Sequence, residues 1–329
     1  MSKPLWTLQK VWNESLDQAP KRPVEVRTHV WASELGKADV DIFLKMKGTD
    51  MTNPPNSRAM RKFEAGNIWE WIMELILRRC GIYMATQEYI RSAMPECIEV
   101  SGKLDFVAGG KVDYNAAEAI LGDLHLPDMF TRAIKNTLEY FKEQYPEGLD
   151  EKILEIKSVS SFGFDKVERT GKPLAGHDLQ LFHYCYNKKR DGAVVYICRD
   201  DARMIEMAIS HEDPILFAQY EAKVKKLTGF VQKDEMPPVE PLILFDEGDK
   251  RFSKNFNVEY SGYLTMLYKF TDQADYDEKT SGTVERWNRV LGRMKEGKEM
   301  TDNNKEALAE MAEAGWDVAF IKEQVTTTK

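Results

Sequence analysis

Two short segments constrain this chain more than anything else in its sequence. Ile153-Leu154-Glu155-Ile156-Lys157-Ser158 alternates, so an extended backbone puts Glu155 and Lys157 on one face and Leu154 and Ile156 on the other. Fifty positions earlier, Gly102-Lys103-Leu104-Asp105 runs into Phe106-Val107, which predicts a carboxylate in the middle of an apolar strand. Burying that carboxylate is costly unless it is paired or bound to a metal. A carboxylate, an ammonium and a second strand-borne carboxylate can together hold a divalent cation and a water, the minimum for hydrolysing a phosphodiester. Taken singly, each segment also describes the solvated face of a strand or a structural ion pair.

The rest of the chain narrows the setting. Its 329 residues suffice for one large domain with additions, or for two. A 43% hydrophobic and 30% charged composition is that of an ordered globular protein. The net charge of −8 argues against a protein that coats nucleic acid indiscriminately, but leaves room for local basic patches around an acidic site. Cys80, Cys97, Cys185 and Cys198 form no CxxC pair, so isolated thiols are expected rather than a zinc or iron–sulfur centre. Met1–Trp6 has no apolar signal core, and the greasy run Ile72–Leu77 is too short to span a bilayer. A soluble protein of the cytoplasm (the host cytoplasm if phage-encoded) is the expectation, with no membrane partner.

Local patterns predict a polar lead-in with Pro20 and Pro23, a helix from Ser33 to about Lys47, a loop at 52–57 and an amphipathic helix from Ser57 to Arg79. A strand at Cys97–Val100, a Ser-Gly turn and a strand from Lys103 to Ala108 follow, with Gly109-Gly110 as a tight turn. Helices are expected near 116–121 and 128–144, then the Glu-x-Lys strand and a polar loop through Gly163 and Gly171. After these come a helix over 176–187, strands at 193–198 and 204–209 and a helix over 211–228. A linker at Pro237, Pro238 and Pro241 leads into acidic helices near 284–294 and 304–325.

Two further motifs stand out. Gly66 lies within a helical pattern, where it costs roughly 1 kcal/mol relative to Ala, which suggests a close backbone approach. Glu70 and Glu74 follow it on one helix face; a polar stripe accounts readily for Glu74 and less well for Glu70. Farther on, His177, Gln180 and Tyr184 share a helix face, where Gln and Tyr either reach a phosphate or satisfy each other.

Taken in order, Gly66-x-x-x-Glu70, Gly102-x-x-Asp105, Glu155-x-Lys157 and Gln180-x-x-x-Tyr184 resemble the PD-(D/E)xK nuclease superfamily over about residues 30–210. The Gln-x-x-x-Tyr element is similar to the RecB-like branch, with its CRISPR-associated RecB-like exonucleases and stand-alone phage nucleases. Ala32-Ser33-Glu34-Leu35, with Arg58 and Arg61 ahead of the motif helix, also resembles that branch.

The resemblance implies an α/β fold with a restriction-endonuclease-like core, a central mixed β-sheet flanked by helices. Residues 1–30 would be a lead-in, 31–235 the core with 109–150 as an inserted helical element, and 236–329 a mainly helical accessory region. It also implies a metal-dependent DNA nuclease, an exonuclease acting on DNA ends in replication, recombination or DNA degradation. Asp105, Glu155, Lys157, Gln180 and Tyr184 would be catalytic. Glu70, Asp105, Glu155 and the carbonyl of Ile156 would bind Mg²⁺ or Mn²⁺. His177, Arg58, Arg61, Lys166, Arg169 and Lys172 would contact DNA.

The chain departs from the family pattern in three places. Glu70 stands where the first motif usually carries His, and the Asp105–Glu155 spacing is long. The cysteines of the iron–sulfur members have no counterpart, so no cluster is expected. The competing reading is a nucleic-acid-binding or scaffolding protein that keeps the fold without catalysis. The C-terminal region is a candidate surface for a protein partner or self-association.

Overall fold

The computed structural model describes residues 7–17, 25–123 and 128–326. Pro20, Pro23 and Met1–Trp6, which the sequence assigns to a lead-in, lie outside the described residues. The chain divides into two compact units, one of residues 1–37, 45–48 and 55–235 and one of residues 38–44, 49–54 and 236–329.

The first unit carries α1 (Leu8–Asp17), β1 (His29–Trp31), a 3-10 turn at Ala32–Glu34, and the end of α2 (Asp39–Met46). Then follow α3 (Ser57–Arg79), β2 (Tyr83–Thr86), β3 (Tyr89–Ser92), β4 (Glu99–Lys103), β5 (Phe106–Gly110), α4 (Tyr114–Asp123) and α5 (Asp128–Gln144). The unit closes with β6 (Leu149–Val159), α6 (Ser161–Thr170), α7 (His177–Lys188), β7 (Gly192–Cys198), β8 (Met204–Ile209) and α8 (Pro214–Lys233). A mixed five-stranded sheet has the order β2-β5-β6-β7-β8, with β6 and β7 parallel and the other pairs antiparallel. A second sheet has the order β1-β4-β3.

The α/β fold with a mixed sheet between helices matches the expectation and is consistent with a restriction-endonuclease-like core. Met73 and Leu77 of α3 bury themselves with Leu154, Ile156, Phe106, Val195 and Ile197 on one sheet face. Each such side chain contributes about 1.5–3 kcal/mol by leaving water. Helix α7 lies against the other face, close enough that a Cβ on Gly192 would meet Leu181 Cδ1 at 3.0 Å and Cys185 Sγ at 2.8 Å.

Several local expectations are corrected. The helix expected over Ser33–Lys47 is broken into a 3-10 turn and α2. Ser101-Gly102 makes no turn but sits inside β4, and Gly109-Gly110 ends β5 rather than forming a tight turn. The segment 97–108 does not feed one sheet, since β4 belongs to the three-stranded sheet and β5 to the five-stranded one. The loop expected through Gly163 is α6, held by Phe164 and Val167, three apart on its buried face; only Gly171, its left-handed cap, is a stop signal. Strands β1, β2 and β3 have no sequence signal, being three or four residues long and without periodicity.

The second unit has a hairpin of β9 (Ile243–Asp246) and β10 (Arg251–Lys254), then α9 (Phe256–Glu259), α10 (Leu264–Tyr268), α11 (Gln273–Lys295), α12 (Asp302–Glu313) and α13 (Val318–Thr326). Phe252 packs edge-on to Trp287 and Trp316 within its core. The single helix expected over 304–325 is two helices, α12 and α13, and the C-terminal region is mainly helical as expected.

Candidate active site

The register of β6 builds the site. Strand β5 pairs with β6 only from Phe106, opposite Leu154, so β6 runs on toward Val159 with that edge open. Asp105 lies in the break between β4 and β5, where the chain passes from one sheet to the other; this corrects its expected place in mid-strand. Its carbonyl accepts from Thr86 Oγ1 at 2.8 Å and from the Gln87 N–H at 3.2 Å. Its carboxylate Oδ2 accepts from the Ile156 N–H at 2.7 Å. Within a strand a residue's N–H and C=O point the same way, so the Ile156 carbonyl looks out over the same open edge.

Glu155 and Lys157 face the α7 side of the sheet, opposite Val194 and Tyr196 of β7. Glu155 is 1% exposed. Its Oε1 accepts from Lys157 Nζ and from Gln180 Nε2, both at 2.6 Å, while Oε2 is buried without a partner. Gln180 also hydrogen-bonds the Tyr184 hydroxyl. Tyr184 lies over Gly102, where a Cβ would stand 2.5 Å from Tyr184 Oη. The Gly102-x-x-Asp105 spacing thus serves two purposes: its Gly admits the Tyr184 ring, and its Asp turns to the open edge of β6.

Electrostatics ties Glu70 to this group. Burial, reinforced by the Asp105 carboxylate and offset by Lys157, pushes the Glu70 carboxyl up to about 7. Burial raises Asp105 as well, against the pull of Lys157 and the Ile156 N–H. Burial, then the neighbouring Asp105 and less so Glu70, raise Glu155 despite the charge and hydrogen bond of Lys157. Burial works against the Lys157 ammonium, but Glu155, Asp105 and Glu70 outweigh it and hold its proton more firmly than usual. Three carboxylates around one ammonium leave an excess of negative charge in a poorly solvated place.

Glu70, Asp105, Glu155, Lys157, Gln180 and Tyr184 are therefore brought together. Among the described residues no three His, Cys, Asp or Glu side chains converge into a finished metal cage. The donors present still fit a hard divalent cation, being all oxygen, with Glu155 Oε2 unpartnered and the carboxylates short of positive charge.

The other candidates are scattered. His177 Nδ1 sits 2.9 Å from Tyr196 Oη, beside Lys157. Arg58 is exposed at the start of α3, and Arg61 is bonded to Asn13 with its guanidinium 6.0 Å from the Trp12 ring. Lys166 and Arg169 are exposed on α6 and Lys172 just beyond it. The basic run after α7 is structural: Lys188 pairs with Glu88, Arg190 with Glu151 at 2.5 Å, and Lys189 lies over the Tyr186 ring. Glu74 pairs with Arg78 at 2.7 Å. Gly66 is not a close approach, since a Cβ there would meet only Ser158 Oγ at 3.8 Å. Sequence reasoning misses Tyr196; its signal is a hydroxyl in the otherwise apolar Val194-Val195-Tyr196-Ile197.

No helix among the described residues is long and apolar enough to cross a membrane. No protein-family model matches the chain, and no curated protein matches it. Among solved structures it is similar to an alkaline exonuclease, LHK-Exo, from Laribacter hongkongensis, at 15% identity and a TM-score of 0.37, over 68% of this chain and 93% of that one. The same exonuclease in complex with dAMP gives 15% and 0.38, over 68% and 93%. The crystal structure of SSO0001 gives 14% and 0.37, over 67% and 84%.

Proposed function

We propose that this chain is a metal-dependent DNA nuclease of the PD-(D/E)xK type, on the RecB-like side of that superfamily, and that it acts as an exonuclease on DNA ends. The observation that carries the reading is the buried excess of carboxylate around Lys157, with Glu155 Oε2 left without a partner. Asp105, Glu155, Glu70 and the Ile156 carbonyl are the oxygen donors that would hold Mg²⁺ or Mn²⁺. Such an ion supplies Lewis acidity, generating a nucleophile from water and offsetting charge on the phosphate.

The chain's own residues do the rest. The Ile156 N–H fixes the Asp105 carboxylate, and Gln180 and Lys157 together fix Glu155 Oε1, which leaves Oε2 without a partner. Lys157, held protonated by its neighbours, orients the attacking water and stabilises the charge that grows on the phosphoryl oxygens. Tyr184 braces Gln180 from behind. His177, Arg58, Arg61, Lys166, Arg169 and Lys172 are assigned to the DNA backbone as single positive or polar contacts. A carboxylate cluster kept at this electrostatic cost favours catalysis over a binding scaffold, because binding alone has no use for it. A scaffold would bind DNA without dependence on Mg²⁺ or Mn²⁺.

The test is cleavage of end-labelled linear DNA and of closed circles, single- and double-stranded, with Mg²⁺, Mn²⁺ or EDTA. Metal-dependent loss of the linear forms with circles spared is the expected result. Cleavage of circles would make the enzyme an endonuclease, and no cleavage of any substrate would end the catalytic reading.

A further inference from the structure

Beside the carboxylates stands a polar pair, Tyr196 and His177, of which the cleavage scheme uses His177 only as a backbone contact and Tyr196 not at all. Tyr196 is the partner of Lys157 across the β6–β7 ladder, so both side chains rise from the same sheet face. Tyr196 is wholly buried, and its hydroxyl oxygen accepts from the Leu174 N–H at 2.8 Å. That leaves one hydroxyl proton, and the acceptor within reach is His177 Nδ1 at 2.9 Å. A buried tyrosine hydroxyl keeps its donor satisfied, so Nδ1 is the acceptor and carries no proton. The imidazole proton must then sit on Nε2, which makes no hydrogen bond among the described residues, on a ring that is partly exposed. His177 is one turn ahead of Gln180, whose amide reaches Glu155.

We propose that Tyr196 is a positioning residue that locks His177 in its Nε2–H tautomer, so that His177 donates to a non-bridging phosphate oxygen of the bound strand. This rests on the nuclease reading for its substrate class. A neutral donor suits the place, because the Lys157 charge nearby works against a second cation there. Burial, with the Lys157 charge nearby, lowers the His177 imidazole to about 3, so the ring stays neutral over the working range.

The experiment uses the full chain labelled with ¹⁵N-histidine, with the His177 signals assigned by their loss in His177→Gln. The ring nitrogens should have the shifts of the Nε2–H tautomer, and Tyr196→Phe should convert them to a mixture of tautomers. Adding octathymidylate in EDTA should move the Nε2 signal. In cleavage, Tyr196→Phe and His177→Ala should each lower kcat/KM about tenfold, and the double variant should be no slower than His177→Ala. His177→Gln, whose amide donates without help from Tyr196, should recover part of the rate and be insensitive to Tyr196→Phe. An Nδ1–H tautomer in the wild type, an Nε2 signal unmoved by octathymidylate, or effects that multiply in the double variant would overturn the proposal. A wild type that cleaves nothing but has the Nε2–H tautomer and the octathymidylate shift would overturn the nuclease reading and leave the phosphate contact standing.

Discussion

Gly102→Ala is the sharpest test of how the site is packed. The added Cβ would stand 2.5 Å from Tyr184 Oη, 3.0 Å from Tyr184 Cε1 and 3.1 Å from the Ala32 Cβ, where ordinary contacts begin near 3.4 Å. Gly102 has no left-handed backbone, so the contacts alone set the cost. Tyr184 is 1% exposed and bonded to Gln180, so it cannot swing aside to clear the missing 0.9 Å (3.4 − 2.5). Overpacking of this kind costs about 1–3 kcal/mol. The same shift pulls Gln180 from Glu155 Oε1, so cleavage should fall by one to two orders of magnitude, roughly 1.4–2.7 kcal/mol of barrier.

Urea denaturation and cleavage rates would be measured on Gly102→Ala, Tyr184→Phe and the pair. Removing Oη abolishes the 2.5 Å contact and leaves the milder ones at 3.0 Å, to Tyr184 Cε1, and 3.1 Å, to the Ala32 Cβ. Tyr184→Phe should therefore recover at least about 0.5 kcal/mol of the stability lost to Gly102→Ala. A Gly102→Ala protein within about 0.3 kcal/mol of wild type, or strictly additive losses in the pair, would refute the packing argument.

Other outcomes follow from the same structure. His183 is fully buried, with Nδ1 2.9 Å from Tyr220 Oη, and burial, partly offset by the Ile90 carbonyl, lowers it to about 4. The unfolded chain binds a proton near pH 6.5 and the folded one does not, so stability should fall as pH drops from about 6.5 to 4, by about 3 kcal/mol from this residue. In His183→Gln, urea midpoints should lose that part of the slope. Mn²⁺ at a hundred times its Kd should raise the stability of the wild type by about 2.7 kcal/mol, read as a higher melting temperature. Asp105→Asn, which keeps an acceptor for the Ile156 N–H, should melt normally and lose the Mn²⁺ shift. Gly229→Ala, inside α8 with nothing within 4 Å of the new Cβ, should stabilise by about 0.5–1 kcal/mol.

What the sequence makes legible is whatever depends on local periodicity. The alternation in Ile153–Ser158 by itself puts Glu155 and Lys157 on one face, and helical spacing by itself puts Gln180 and Tyr184 together. Their meeting with Glu155 follows from α7 lying on that face. What local pattern does not encode is which strands pair. Asp105 reads as a mid-strand anomaly only if Gly102–Ala108 feeds one sheet, whereas the segment crosses between two and leaves Asp105 in the gap. The glycines mislead for the same reason. Gly66 suggests a close approach and has room for a methyl group, whereas Gly102 suggests a turn and is pressed by a ring eighty-two positions away. Tyr196 escapes notice because its value comes from its register with Lys157, which no single strand encodes.

The central claim is that Asp105, Glu155 and Lys157 form one hydrolytic centre. Cleavage of end-labelled linear DNA in Mg²⁺ or Mn²⁺ by wild type, Lys157→Ala and Asp105→Ala, each first established as folded by circular dichroism and melting, tests it most directly. Cleavage by the wild type alone, with both variants slower by at least a hundredfold and EDTA silencing all three, is the expected result. Wild-type rates in either folded variant would place the chemistry elsewhere and contradict the claim.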